Sequence, residues 1–207
     1  MSSASNTARA VIEQLLASSP YELIAVVLAV AYLLLVIREN IVAWYCAFVS
    51  TAIFLGIFWQ VDLYMESGLQ VYYLVMAVYG WSQWRKRNDD DAPALAISTW
   101  PVSRHILVLV GVAAAALASG WLLRDTNARL PYIDSFTTWG SIVTTYMVAK
   151  KVLENWLYWL VIDSISIFLY IDRGLYFTAL LFAAYIVIVI FGGISWYRQW
   201  HNARPIS

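Results

Sequence analysis

The stretch YGWSQW at residues 79–84 and the stretch FGGISW at residues 191–196 lie 112 positions apart in strongly apolar sequence. At the same offset, and without a gap, the whole of residues 38–84 repeats as residues 150–196. The matched residues are Arg38 with Lys150, Trp44 with Trp156, Leu63-Tyr64 with Leu175-Tyr176, Tyr73 with Tyr185, Gly80 with Gly192 and Trp84 with Trp196. An internal repeat in such a chain predicts a transporter built from two related halves.

The composition predicts an integral membrane protein. Of the 207 residues, 62% are hydrophobic and 13% are charged, whereas soluble domains are about 45–50% apolar and about 25% charged. The formal net charge of zero gives no indication of a nucleic-acid partner. Cys46 is the only cysteine, which excludes an internal disulfide. His105 and His201 are far apart, and we predict no metal, no cofactor and no catalytic group of residues.

Seven segments are long and apolar enough to cross a bilayer, which needs about 20 residues per helix. They lie near residues 21–37, 41–60, 63–84, 104–123, 134–149, 153–171 and 174–197. The fourth segment has no counterpart in the repeat, so the predicted fold is all-α with seven transmembrane helices in a 3+1+3 arrangement. A single linker helix makes the two halves parallel repeats, related by an axis along the membrane normal.

The predicted division of the chain follows from this repeat. Its parts are an N-terminal tail or interfacial helix (1–20), a first three-helix repeat (21–84), a linker helix (104–123), a second three-helix repeat (134–197) and a C-terminal tail (198–207). For residues 1–20 the sequence leaves a short interfacial helix and a frayed tail equally open. It does not read as a cleaved signal peptide.

The distribution of basic residues predicts the orientation in the membrane. Nine Lys and Arg residues lie on the side of the C-terminus and four lie on the side of the N-terminus. The positive-inside rule therefore predicts an outside N-terminus and a cytoplasmic C-terminus in a bacterial inner membrane. The acidic run at residues 89–91 does not reverse this, because acidic residues count for little in the rule.

Asp163 is the clearest candidate for substrate binding, because an ionisable residue inside a membrane segment is costly and indicates function. Trp156 and Trp159 lie on the same helical face at spacings of seven and four residues. Two indole rings above a carboxylate suit an organic cation. The alternatives are an Asp163 paired with a neighbouring helix and tryptophans in the interfacial belt; for Trp44 and Trp156, near helix starts, we favour the belt.

Two polar stripes add further candidates. Glu66, Gln70 and Tyr73 follow one face of the third segment, although Glu66 is close enough to the helix start to face only water. The fifth segment carries Asp134, Thr138, Ser141 and Thr145 on one face. This stripe fits the lining of a path as well as it fits packing through hydroxyl groups, and Asp134 also fits an N-cap.

Several stretches resemble the PnuC family of vitamin transporters, over about residues 22–200. They are KKVLENWLYW at residues 150–159, Asp134-Ser135, Leu69-Gln70-Val71, Tyr79-Gly80-Trp81 and Gly174-Leu175-Tyr176. The resemblance implies a three-one-three fold related to SWEET sugar transporters. It also implies facilitated diffusion of nicotinamide riboside or a related vitamin, which a cytoplasmic kinase would trap as a phosphate ester.

The chain departs from this family pattern at three positions. Where nicotinamide riboside carriers tend to have asparagines, it has Ser50, Ala77 and Asp163. Relatives in the family carry thiamine. Nicotinamide riboside and thiamine are both cationic aromatic heterocycles, so Asp163 with Trp159 suits either.

Other functions are weaker interpretations of the sequence. No phosphate-binding loop and no second carboxylate relay is present, so passive movement is the economical mechanism. A SWEET-like uniporter for small sugars would not need the charge of Asp163. A structural membrane protein would not need the polar stripes, and an enzyme would need a catalytic grouping. The sequence leaves homo-oligomer formation open.

Overall fold

The computed structural model describes residues 2–60, 64–85, 95–126 and 130–203, and this part of the chain is almost entirely helical. The helices are α1 (Ser2–Ala17), α2 (Pro20–Ile37), α3 (Val42–Gln60), α4 (Tyr64–Arg85), α5 (Val102–Leu123), α6 (Pro131–Ala149), α7 (Asn155–Asp172) and α8 (Tyr176–Asn202). The all-α prediction is confirmed. The predicted breaks at Asp62 and 86–93, and the end of the C-terminal tail at 204–207, lie outside the described residues.

The helix boundaries follow local chemistry. The Ser19 side chain caps α2 by accepting a hydrogen bond from the backbone N–H of Glu22 at 3.1 Å, and Pro20 occupies the first turn. Pro131 begins α6 in the same way. After α7, Gly174 adopts a left-handed conformation with φ of 75°, which glycine permits without steric cost.

The exposed surface of the helices is apolar. Helices α2, α3, α5 and α8 are long and apolar enough to cross a membrane. Helices α4, α6 and α7 contain more polar residues, but their exposed faces carry large apolar side chains. On α7 these exposed residues are Leu157, Val161, Phe168 and Ile171. Apolar faces outward and polar residues inward are the arrangement expected of a protein in lipid.

The two repeats pack on each other through their first and third helices. Helix α4 contacts α6, and α8 contacts α2, while α5 packs on α6. Two similar hydrogen bonds, with donors at equivalent positions and acceptors one position apart in the repeat, join the halves. The Trp84 indole donates to the carbonyl of Ala149, and the Trp196 indole donates to the carbonyl of Val36, both at 3.2 Å.

Trp44 and Trp156 lie inside these halves and not at the lipid surface. Trp44 is 2% exposed and Trp156 is 3% exposed. The Trp44 ring covers Gly80, and the Trp156 ring covers Gly192. Trp44 also packs edge-on against Trp84, and Trp156 packs edge-on against Trp196, with an interplanar angle of 87° in each pair. The belt interpretation of Trp44 and Trp156 is therefore wrong, because a belt residue would present its ring to the membrane interface.

Helix α1 is ordered and packs on α8. The Gln14 amide donates to the carbonyl of Gly174 at 2.8 Å and accepts from the N–H of Phe177 at 2.9 Å. It thereby satisfies backbone groups at the start of α8 that have no partner within the helix. Residues 2–17 are thus helical, and the place of this helix at a membrane interface stays a prediction.

Candidate substrate site

Asp163 lies near the middle of α7 and is only 4% exposed. Among the described residues it is the one acidic or basic side chain near the middle of any of the helices α2 to α8. Within that part of the chain it has no ion-pair partner and no hydrogen-bond donor. A buried carboxylate without such partners is costly, so this position calls for a ligand that supplies the missing interactions.

Side chains from five helices form one connected cluster with Asp163, here called the central cluster. They are Tyr32 (α2), Tyr73 (α4), Ser141 (α6), Tyr170 (α7) and Tyr185 (α8). Tyr73 and Tyr185 are both close enough to Asp163 to interact with it electrostatically. The Ser141 side chain lies beside Tyr73. The cluster therefore joins both halves at the middle of the bundle.

The chemistry of the central cluster suits a cation that carries hydroxyl groups. The carboxylate supplies negative charge, and the tyrosine rings offer faces to which a cation or an aromatic ring is attracted. The phenol and serine hydroxyls both donate and accept hydrogen bonds. Among the described residues no group of three or more His, Cys, Asp or Glu could hold a metal ion.

Three of the predicted site residues come together in this cluster: Asp163, Tyr73 and Ser141. Trp159 is half-buried one turn before Asp163 on α7 and packs against the core. Trp156 packs on Gly192, and its buried indole N–H has no hydrogen-bond partner. Gln70 is half-buried on α4, and Glu66 lies in the first turn of α4 with its side chain outside the described part of the structure.

The hydroxyl stripe of α6 is largely satisfied within its own helix. Thr138 donates to the carbonyl of Asp134 at 2.9 Å, and Thr145 donates to that of Ser141 at 2.8 Å. Asp134 itself accepts a hydrogen bond from Arg173 at 2.9 Å. Because α6 already begins at Pro131, the prediction of Asp134 as its N-cap is wrong.

Sequence reasoning missed Tyr32, Tyr170 and Tyr185. A signal for Tyr185 was present, because it is the repeat partner of Tyr73. No comparable signal marks Tyr32 or Tyr170, since a tyrosine in an apolar helix fits a membrane interface equally well.

Apolar helices around a polar centre define a multi-pass membrane transporter, and the comparisons with known proteins agree. The sequence model described as nicotinamide mononucleotide transporter matches residues 19–198. The riboflavin/roseoflavin transporter RibM of Streptomyces davaonensis is 25% identical over 189 residues, which cover 89% of this chain and 88% of RibM. The nicotinamide riboside transporter PnuC of Escherichia coli is 23% identical over 193 residues, covering 80% and 78%.

A solved structure has the same fold. The crystal structure of the vitamin B3 transporter PnuC superposes with a TM-score of 0.73 at 19% identity, covering 96% of this chain and 89% of the other. The chain belongs to the nicotinamide mononucleotide transporter family, that is, the PnuC family of vitamin transporters. It is therefore a multi-pass bacterial membrane protein that transports a small molecule, and not an enzyme.

Proposed function

We propose that the chain carries nicotinamide riboside across the bacterial inner membrane by facilitated diffusion. The observation that carries this proposal is Asp163, a buried carboxylate without a partner among the described residues, surrounded by tyrosines. Nicotinamide riboside combines a positively charged aromatic ring with a sugar. The ring matches the carboxylate and the aromatic faces, and the sugar hydroxyls match the hydroxyls of the cluster.

The path would run through a bundle of seven membrane crossings, α2 to α8, in a 3+1+3 arrangement. The less apolar helices α4, α6 and α7 have 22, 19 and 18 residues. At 1.5 Å per residue they are roughly 33, 28 and 27 Å long, against a hydrocarbon core of about 30 Å. Their exposed apolar faces and inward polar residues support a place in the bilayer beside the more apolar helices.

Trapping inside the cell would give the movement its direction. The excess of Lys and Arg on the side of the C-terminus supports a cytoplasmic C-terminus. A facilitator equilibrates its substrate, so net uptake requires that the product be removed. A cytoplasmic kinase would convert the substrate into a negatively charged phosphate ester. The negative charge of Asp163 would repel this ester, so the ester would not leave through the same site.

Riboflavin is the second candidate, because the alignment with RibM covers 89% of this chain, against 80% for the alignment with the nicotinamide riboside transporter. Riboflavin has an aromatic ring system but no positive charge, so it would leave the charge of Asp163 uncompensated. Thiamine has the charge and remains the alternative among cations. A small sugar has neither a charge nor an aromatic ring.

Calorimetry on the purified protein tests the proposal, with nicotinamide riboside, thiamine and riboflavin titrated side by side. We expect nicotinamide riboside to bind most tightly. Asp163→Asn keeps the size of the side chain but removes its charge, and it should weaken binding of the cation by on the order of tenfold, about 1.4 kcal/mol. An asparagine at position 163 alone does not reproduce the pattern of nicotinamide riboside carriers, because Ser50 and Ala77 still stand at the other two positions. Asp125→Asn, which changes an exposed carboxylate, serves as the matched control. If riboflavin binds more tightly than nicotinamide riboside, and Asp163→Asn leaves its affinity unchanged, riboflavin is the substrate instead.

A further inference from the structure

The loops that follow the first helix of each half have the same unusual backbone. Glu39 after α2 and Lys151 after α6 both adopt the left-handed conformation, with φ of 51° and 50°. In each loop the next residue closes the helix end: Asn40 N–H donates to the Leu35 carbonyl, and Val152 N–H donates to the Met147 carbonyl. Glycine normally occupies such a position. A non-glycine residue there is strained and persists where the surrounding structure fixes it.

The surroundings that fix the two loops include an ion pair between Glu39 and Lys151. Lys151 Nζ lies 2.5 Å from Glu39 Oε2, and the two residues are 112 positions apart, which is the offset of the repeat. Equivalent positions of two related halves can touch only where the axis between the halves passes. The pair therefore lies on the line along which a transporter of two repeats places its substrate path.

The pair is shielded and held in place. The Lys151 side chain is 9% exposed and that of Glu39 is 22% exposed. The Lys151 ammonium also lies 4.8 Å from the centre of the Trp84 ring. Trp84 in turn donates to the Ala149 carbonyl of the other half. These contacts all cross the boundary between the halves, so the halves cannot separate at this end without breaking them.

A cavity of about 410 Å³ lies at the ion pair. Its walls are Arg38, Glu39, Asn40, Ile41, Trp84, Arg85 and Lys151. Arg38, Asn40 and Arg85 are exposed, so this mouth cavity is at the end of the bundle. Asp163 lies eight residues into α7 from Asn155, about 12 Å along the helix axis. The ion pair thus lines the mouth cavity at the end of the bundle, and the central cluster lies deeper, near the middle of α7.

The two sides of the pair are not anchored equally. The backbone of Lys151 and its neighbour is tied to the segment before α5, because Ser98 N–H donates to the Lys151 carbonyl at 3.0 Å and Leu153 N–H donates to the Ser98 carbonyl at 2.7 Å. In the described part of the chain, the Glu39 loop has backbone hydrogen bonds only to its own helix and its own turn. Opening should therefore move the Glu39 side.

We propose that Glu39 and Lys151 form the gate that closes the substrate path at this end of the bundle. The proposal rests on the transport path proposed through the central cluster. The pair must break for substrate to pass between the mouth cavity and Asp163, and it re-forms to close the path after passage. A purely structural ion pair would instead stay intact throughout transport.

Cross-linking separates these two roles. In a Cys46→Ser background, Glu39→Cys with Lys151→Cys is joined by a short bis-methanethiosulfonate reagent in proteoliposomes, and nicotinamide riboside uptake is measured. We expect the cross-linked protein to lose uptake and to regain it when the link is reduced. Tyr45→Cys with Trp81→Cys is the matched control, because this contact lies within one half; its cross-linked form should keep uptake. Full uptake by protein cross-linked at 39 and 151 would overturn the gate.

A second measurement needs no substrate. Ser141→Cys in the same background is labelled with a membrane-impermeant thiol reagent in inside-out and in right-side-out vesicles, with and without Glu39→Gln. We expect Glu39→Gln to speed labelling several-fold from one side only. An unchanged labelling rate from both sides contradicts the gate. If the unaltered protein does not take up nicotinamide riboside, the proposed substrate fails, and this labelling experiment still decides the gate.

Discussion

At the scale of single residues, Gly80 and Gly192 determine how closely the helices of each half approach. A Cβ atom at Gly80 would overlap the Trp44 ring, and one at Gly192 would overlap the Trp156 ring. Neither ring can easily move away, because each packs edge-on against a second buried tryptophan. Small residues at helix contacts are the usual means of close packing in membranes.

Alanine at either glycine should therefore destabilise the protein. Gly80→Ala and Gly192→Ala should each cost about 1–3 kcal/mol, the usual cost of overpacking a core. Gly111→Ala is the matched control, since a Cβ there meets no atom within 4 Å. Thermal unfolding in detergent is the measurement, and we expect lower melting temperatures for the first two variants only. Equal melting temperatures for Gly192→Ala and Gly111→Ala would show that the tryptophan contact is not rigid.

The sequence predicted Asp163 as the centre of the candidate site but did not predict the whole central cluster. Asp163 was predictable because a charge inside an apolar segment is conspicuous, and Tyr73 and Ser141 because helical spacing places them on inward faces. The Glu39–Lys151 contact was not predictable in the same way. In the alignment of the two repeats, an acid opposite a base reads as a mismatch, and only the three-dimensional arrangement shows that the two residues meet.

At the scale of helices, hydrophobic length and polar breaks predicted most helix bounds to within a few residues, although α6 begins three residues before its predicted start and α8 ends five residues after its predicted end. The observed bounds of α2 and α3, for example, differ from the predicted ones by a single residue. The N-terminal helix was harder, because only four of its 16 residues are large and apolar. What orders it is a distant contact, between Gln14 and the start of α8, which no local pattern contains.

The charges near the helix ends predict the orientation of the chain. Lys150, Lys151 and Arg85 lie at one end of the bundle, and Arg173 lies near the other, after α7. The positive-inside rule places the first end in the cytoplasm. A C-terminal green fluorescent protein fusion should therefore fluoresce, and an alkaline phosphatase fusion at the same position should be inactive. If the phosphatase fusion is active and the fluorescent fusion is dark, the predicted orientation is wrong.

At the scale of the whole molecule, five helices (α2, α4, α6, α7 and α8) contribute to one polar centre, and Trp84 and Trp196 each donate a hydrogen bond to the backbone of the other half. Such an arrangement allows one half to move against the other around a fixed site. The chain has no phosphate-binding loop of the Walker type. The described residues include no second buried carboxylate near Asp163 for a proton relay. The proposed facilitated diffusion needs neither feature.

Uptake by proteoliposomes tests this central claim most directly. Purified protein is reconstituted without ATP and with ionophores that collapse ion gradients, and labelled nicotinamide riboside is added outside. We expect the internal concentration to rise until it equals the external one, and Asp163→Asn to slow this approach. Accumulation above the external concentration in the absence of ionophores, abolished by a protonophore, would contradict facilitated diffusion.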